Sequence, residues 1–192
     1  IKTWRESRDC FRQAAELSER PIKVISIPFE GTTLPGYLCL MDNSGKKRPL
    51  LIIHSGFDGT AEELYFEIAF PALERGFNCL LFEGPGQGGG RREQKIPFRP
   101  NWETVVTPVV DFSLKLPETD PEKIALIGFS FGGYLAPRAA AFEDRLAGCV
   151  ADGGVYDFYE SCIKECPPGT EEMIADPDGV KKFDSGIIPV MK

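Results

Sequence analysis

Residues 128–133 read GFSFGG and set a serine, Ser130, inside the pattern G-x-S-x-G. A serine hydroxyl attacks a carbonyl carbon when a base takes its proton and backbone amides receive the charge that builds on the carbonyl oxygen. In a chain with 20 glycines the bare pattern carries little weight; its setting carries more. KIALI, ending at Ile127, reads as a buried strand, and YLAPRAAA, beginning at Tyr134, reads as a helix. A sharp strand-to-helix turn strains the serine backbone and lifts its Oγ clear of the sheet. Gly128 and Gly132 then leave room where strand and helix cross closely. The helix that follows aims its amides and the positive end of its dipole at developing negative charge. Ser130 is the expected nucleophile, with a plain glycine-rich turn as the alternative.

Acyl chemistry needs two backbone donors. The residue after the nucleophile, Phe131, supplies one. HSGFDG, residues 54–59, begins at the end of the strand-like run LLIIH and is the expected source of the other. Gly56 lets the backbone approach, and Phe57 is the expected donor; a plain strand-to-helix loop is the alternative. The loop GPGQGGG, residues 84–90, matches G-x-G-x-x-G after a strand, but Pro85 interrupts it and RREQKIPFRP follows where a helix belongs, so it is read as a loop bordering the site and not as a dinucleotide cradle. Glu83 opens this loop as a surface group or as one that orients substrate or a neighbouring loop. Arg91 and Arg92 read as a solvated basic spot.

These residues need a scaffold. Trp4, Phe11, Ala14, Ala15 and Leu17 recur at helical spacing, predicting a leading helix over 3–18. IKVISIPF and LPGYLCLM predict a strand pair joined by a short connection, and DNSGKKRP a turn. LLIIH, FNCLLFE, KIALIGF and LAGCVAD predict strands covered on both faces. TAEE, residues 60–63, is a capping box opening a helix that runs to Arg75 and stops at Gly76. NWETVVTPVVDFSLKL predicts a helix kinked near Pro108. Strand and helix alternate, so the fold class is α/β: a mostly parallel sheet with helices on both faces, six strands by Asp152, and the start of a helical segment over 153–192.

A net charge of −7 disfavours a phosphate backbone as partner, and no apolar run approaches the roughly 20 residues of a membrane span. Of six cysteines, Cys39, Cys79 and Cys149 lie in strand-like runs and read as buried. Cys162 and Cys166 read as unrelated thiols, with a disulfide or metal pair as the alternative. No Cys/His cluster suggests zinc. Free thiols at this density suit a reducing, cytoplasmic setting. Tyr156, Phe158 and Tyr159 open the last segment. With 14 phenylalanines, of which Phe57, Phe129 and Phe131 flank the expected chemistry in sequence, the expected substrate is a small apolar or aromatic acyl compound. A homodimer stays open.

The stretches VISIPFEGTTLPGYL, IIHSGFDG, LLFEGPGQG and IGFSFGG together resemble the α/β-hydrolase superfamily, within it the group of 2,6-dihydroxypseudooxynicotine hydrolase, the fungal polyketide-shortening hydrolases and FrsA-like proteins. The resemblance implies residues 1–152 as the N-terminal part of the hydrolase core and 153–192 as the beginning of a helical cap. It implies hydrolysis of a C–C bond, an ester or an amide, with C–C cleavage of a β-diketone or acyl-aromatic compound favoured and no metal or organic cofactor. The family order is Ser, then Asp or Glu, then His. The one histidine, His54, precedes Ser130. In related enzymes a histidine there orders the oxyanion loop; roles as catalytic base or bystander stay open. The acid and the catalytic histidine are expected beyond Lys192, with Asp152 as an alternative acid and a cap-anchoring turn with Gly153 and Gly154 as its other reading. A noncatalytic binding protein on the same scaffold, or completion of the fold by a second polypeptide, are the rival expectations.

Overall fold

The computed structural model describes residues 1–164, 166 and 168–175, apart from the side chains of Cys162, Ile163, Met173 and Ile174. Helix α1 (Lys2–Glu16) comes first and buries Phe11. Strands β1 (Ile22–Phe29) and β2 (Thr32–Cys39) pair antiparallel, closing at Phe29 opposite Thr32. The two residues between them, Glu30 and Gly31, have φ of 41° and 78°. Positive φ at both central positions is what a type I′ hairpin turn demands.

Among the described residues four further strands join the sheet: β3 (Arg48–His54), β4 (Asn78–Phe82), β5 (Thr119–Phe129) and β6 (Gly148–Asp152). Their order is β1-β2-β4-β3-β5-β6. β2 pairs antiparallel with β4, while β3 pairs parallel with both β4 and β5, and β5 parallel with β6. The apolar runs of β3 and β4 are covered on both faces. Leu80 and Phe82 point into one core with Ile52, Leu126, Val105, Val109 and Ala136; Cys79 and Leu81 point into the other with Phe11, Tyr37, Leu64 and Leu73. That alternation is the period of two of a strand. Each fully buried aliphatic or aromatic side chain contributes about 1.5–3 kcal/mol.

The first core is roofed by α5 (Glu103–Ser113), which carries Pro108 inside it, and α6 (Gly132–Ala140). Over the second lie α1 and a segment that starts as α2 (Ala61–Leu64) and ends as α3 (Phe70–Glu74). The TAEE capping box forms: Thr60 Oγ1 accepts from the Glu63 amide at 3.3 Å, and Glu63 Oε2 accepts from the Thr60 amide at 3.3 Å. The expected helix to Arg75 forms with a π-helical turn, Tyr65–Ala69, in its middle, and Gly76 ends it at φ +88°. Pro71 has no N–H to give the preceding turn, and the Phe70 amide reaches back to the Tyr65 carbonyl.

Two expectations are corrected. LAGCVAD was expected as a covered strand with Cys149 buried, but all five residues of β6 are exposed; among the described residues β6 stands at the edge of the sheet, paired with β5 alone. A helix was not expected after GPGQ, yet a short one, α4 (Gly88–Arg92), forms inside the glycine run. Arg91 is exposed, as a solvated spot requires, whereas Arg92 lies over the Trp4 ring at 5.7 Å.

Contacts divide the chain after Gly154 into two compact units. The second contains α7 (Phe158–Ile163) and α8 (Thr170–Ala175), joined by a hydrogen bond from the Tyr159 hydroxyl to Glu171 at 2.9 Å. The expected cap over 153–192 lies partly outside the described residues, as does the comparison of Cys162 with Cys166. Among the described residues no helix is long and apolar enough to cross a membrane.

Candidate active site

The central pair β3 and β5 sets the geometry. His54 lies opposite Gly128 in their parallel register, so residues two steps further on, Gly56 and Ser130, leave the sheet side by side at its C-terminal edge. Ser130 sits between β5 and α6 with φ +59°. A left-handed serine costs of order 1–3 kcal/mol and persists where the surrounding structure over-determines it. The surroundings here do. A side chain on Gly128 would begin on the Gly132 carbonyl and 2.8 Å from Ala136 Cβ. Behind the turn, a Gly153 side chain would meet the Ser130 carbonyl at 2.6 Å. That carbonyl accepts the Gly133 amide at 2.8 Å, which opens α6. Ser130 itself is exposed.

The 55–60 loop lies directly against this turn. A Cβ on Gly56 would stand 2.6 Å from the Phe131 amide nitrogen, and one on Gly132 would stand 2.8 Å from the Ser55 carbonyl oxygen. Glycine at these positions is what lets the two loops touch through their backbones. The rings of the two expected oxyanion donors, Phe57 and Phe131, stack at 4.4 Å with planes 4° apart. Phe98 sets its edge against both, at 5.4 and 5.5 Å, and Tyr134 stacks on the far side of Phe131 at 5.7 Å. Phe57 remains 45 % exposed. The result is an aromatic wall beside an exposed serine hydroxyl.

His54 points the other way. Its ring is fully buried between Phe82 and Trp102, at 5.4 and 5.5 Å. Nδ1 lies 3.1 Å from the Ser55 carbonyl, while Nε2 is buried with no hydrogen-bond partner. A carbonyl can only accept, so Nδ1 carries a proton; the buried Nε2 without a partner favours the neutral ring. Burial lowers its pKa to about 4, against a small upward pull from the Ser55 carbonyl. Neither nitrogen engages Ser130, so the geometry matches a loop-ordering histidine better than a base. Asp152, at the end of β6, is exposed.

Glu83 is not a surface group: it is 4 % exposed, in a run where every residue from 78 to 90 is buried. One carboxylate oxygen accepts the Ala61 amide at 3.2 Å and the other the Gly89 amide at 2.6 Å, which ties the starts of α2 and α4 together. Burial first, and the nearby Glu62 charge second, raise its pKa to about 7; the two amides and Arg92 oppose them. The carboxylate stays buried because its lone pairs have these donors.

Sequence reasoning missed Gln87. It is fully buried. Its Oε1 accepts the Gly84 amide at 2.9 Å, and its Nε2 donates to the Ser55 carbonyl, the same oxygen that His54 binds. The available signal was one long polar residue within a run of glycines. Phe98 and Trp102 were missed as well. The Phe98 ring fills the space over Gly86, and Trp102 lies 2.8 Å from where a Gly84 side chain would begin. The G-x-G-x-x-G segment is therefore folded on itself and filled by aromatic rings, without a cradle for a pyrophosphate. Among the described residues no group of three or more His, Cys, Asp or Glu side chains is arranged to hold a metal ion.

Residues 48–184 match the family model described as alpha/beta hydrolase fold. The alpha/beta hydrolase ucsC of Acremonium sp is 41% identical over 184 residues, 87% of this chain and 37% of the relative. The alpha/beta hydrolase psoB of Aspergillus fumigatus is 41% identical over 157 residues, 76% of this chain and 35% of that protein. Among solved structures, 2,6-dihydroxy-pseudo-oxynicotine hydrolase superposes with a TM-score of 0.77 at 28% identity, covering 88% of this chain and 46% of the other. The chain thus spans less than half the length of these relatives.

Proposed function

Because the chain belongs to the alpha/beta hydrolase fold family, we propose that it is the nucleophile-bearing part of a serine hydrolase acting on a carbonyl substrate. Ser130 Oγ attacks the carbonyl carbon while the Phe57 and Phe131 amides receive the oxyanion. The hydroxyl proton passes to a base, the bond to the leaving group breaks, and the departing carbon, oxygen or nitrogen takes a proton. Water then attacks the acyl-enzyme, releases the acid and restores the hydroxyl. His54 is buried with Nδ1 committed to Ser55, which speaks against His54 as the base; the family order of Ser, acid and His favours a histidine paired with a carboxylate, expected beyond Lys192.

One observation carries this reading: a serine at φ +59° on a strand-to-helix turn, with the Gly56 backbone pressed against the Phe131 amide. The stacked Phe57 and Phe131 rings, with Phe98 edge-on to both, support an apolar or aromatic acyl group. The structural relatives include a hydrolase of 2,6-dihydroxy-pseudo-oxynicotine; the resemblance read from the sequence favours C–C bond hydrolysis of a β-diketone or acyl-aromatic compound, with ester or peptide cleavage as the alternative.

The test is covalent labelling of the full-length protein with a fluorophosphonate. The expected result is one adduct by intact mass, located on Ser130 by peptide mapping and absent from Ser130→Ala. An adduct that survives in Ser130→Ala removes the assignment, and a wild-type protein that takes no label supports the noncatalytic binder.

A further inference from the structure

Gly56 has no side chain to stiffen its backbone; Ser55 before it is buried and its hydroxyl donates to the Gly59 carbonyl at 3.0 Å, and the Phe57 ring after it stacks on Phe131 while staying 45 % exposed. A donor that must face an oxyanion to within a fraction of an ångström needs its peptide fixed from outside. The Ser55 carbonyl is where that fixing occurs. It accepts from His54 Nδ1 on one side and from Gln87 Nε2 on the other, so both lone pairs are used and the 55–56 peptide plane is set. Gln87 reaches it from a different strand-end loop, 32 residues away in sequence. Its other end is locked by the Gly84 amide, and its own amide returns a bond to the Gly84 carbonyl at 3.0 Å. Donor and acceptor partners at opposite ends fix which way the side-chain amide faces. A fully buried amide that only filled space would be destabilising relative to an apolar residue, since its desolvation is offset only when both ends are paired.

We propose that Gln87 is a positioning residue of the acyl-transfer site, holding the Ser55–Phe57 backbone so that the Phe57 amide faces the oxyanion formed at Ser130. The inference rests on the hydrolase reading above. Gln87 touches neither substrate nor nucleophile; it acts through the Ser55 carbonyl. Gln87→Met keeps the length and removes both polar ends. Gln87→Glu keeps the acceptor for Gly84 and replaces only the donor to Ser55 with an oxygen.

The experiment follows fluorophosphonate labelling of the full-length protein over a range of probe concentrations, which separates probe binding from the rate of the covalent step. Displacing one oxyanion donor slows the covalent step while leaving initial binding alone. Both variants are expected to label Ser130 about 10–100-fold more slowly at saturating probe, with half-saturation within about twofold of wild type. A residue of purely structural importance would instead lower the melting temperature without separating the two constants. If Ser130→Ala is silent and either folded variant labels at the wild-type saturating rate, Gln87 has no positioning role while the hydrolase reading stands. If Ser130→Ala still labels, or the wild type does not, the hydrolase reading fails and the Gln87 proposal goes with it. Should Gln87→Met not fold, Gln87→Glu alone decides by the same readout.

Discussion

His54 and Glu83 are buried ionisable groups displaced in opposite ways, and together they give this protein a pH signature at the level of single residues. His54 titrates near 4 in the folded protein, below its ordinary 6.5. Between these values the unfolded chain binds more protons, so stability from this residue is complete above pH 6.5 and is lost as pH falls toward 4. Glu83 titrates near 7 when folded, above its ordinary 4.5. Here the folded protein binds more protons, so its contribution is present below pH 4.5 and is lost as pH rises through 7. Each displacement is worth about 3 kcal/mol at full extent, and the two oppose each other between pH 4.5 and 6.5. Denaturant melts across pH 4–8 are expected to expose this by difference. Relative to wild type, His54→Gln should lose stability as pH rises through this range, and Glu83→Gln should gain it. A His54→Gln curve parallel to wild type would mean that the ring is not buried neutral. The two amides on Glu83 come from residues 22 before and 6 after it, and the carbonyl partner of Gln87 from 32 before. No local pattern carries such pairings, which is why Gln87 was not read at all and Glu83 was read as a surface group or as one orienting substrate or a neighbouring loop, whereas the strand-to-helix turn at Ser130 with its flanking glycines was legible.

At the scale of elements, the site depends on two close backbone crossings that tolerate change differently. Where β5 meets α6, a Gly128 side chain would land on the Gly132 carbonyl and close to Ala136, both parts of a packed helix that cannot yield. Gly128→Ala is expected to lose about 3 kcal/mol of stability, read from denaturant melts. Where the 55–60 loop meets the turn, a Gly56 side chain would press on the Phe131 amide at 2.6 Å; the Ser55 carbonyl is held by His54 and Gln87, but Phe57 and Asp58 are exposed, so the strain is relieved on that side of the loop. Gly56→Ala should therefore melt within about 1 kcal/mol of wild type yet lose roughly 100-fold in labelling rate, because the proposed oxyanion donor, the Phe57 amide, moves away. Wild-type labelling in Gly56→Ala would uncouple this loop from the chemistry. The same scale explains what the sequence could and could not announce. LLIIH, FNCLLFE and KIALIGF declare themselves because strands covered on both faces need unbroken apolar runs. The capping box at Thr60 is equally local. α4 contradicts its own composition: three of its five residues are glycine, each about 1 kcal/mol poorer than alanine in a helix. It is held from outside, by Glu83 on the Gly89 amide. The π-helical turn depends on how the missing Pro71 donor is accommodated, which periodicity does not express.

For the whole molecule, strand order decides what the exposed surface can do, and strand order is the quantity that hydrophobic runs leave undetermined. β3 and β5 are interior strands, and their loops meet at a site supported from both sides. The two edges differ. β1 carries Lys23, paired with Glu118 at 3.4 Å, and Pro28, both features that discourage strand addition. β6 reads GCVAD, uncharged until its last residue and exposed throughout, with Val150 at 49 %. Among the described residues β6 pairs on one side only, and an unpaired, uncharged edge with β-branched and thiol side chains is a template for another strand. Residues 1–192 produced alone are therefore expected to self-associate in a concentration-dependent way, by sedimentation velocity between about 5 and 100 μM. Val150→Lys should shift that distribution toward monomer, since repeated lysines cannot be brought edge to edge at 4.8 Å spacing without repulsion. The same substitution in the full-length protein separates two situations. If a further strand occupies the β6 edge there, a lysine in the covered ladder should lower the melting midpoint, whereas on an edge left open it should leave the midpoint unchanged. A 1–192 chain that stays monomeric at the highest concentration, or a Val150→Lys chain that associates like the parent, would show that the β6 edge is already protected within these residues.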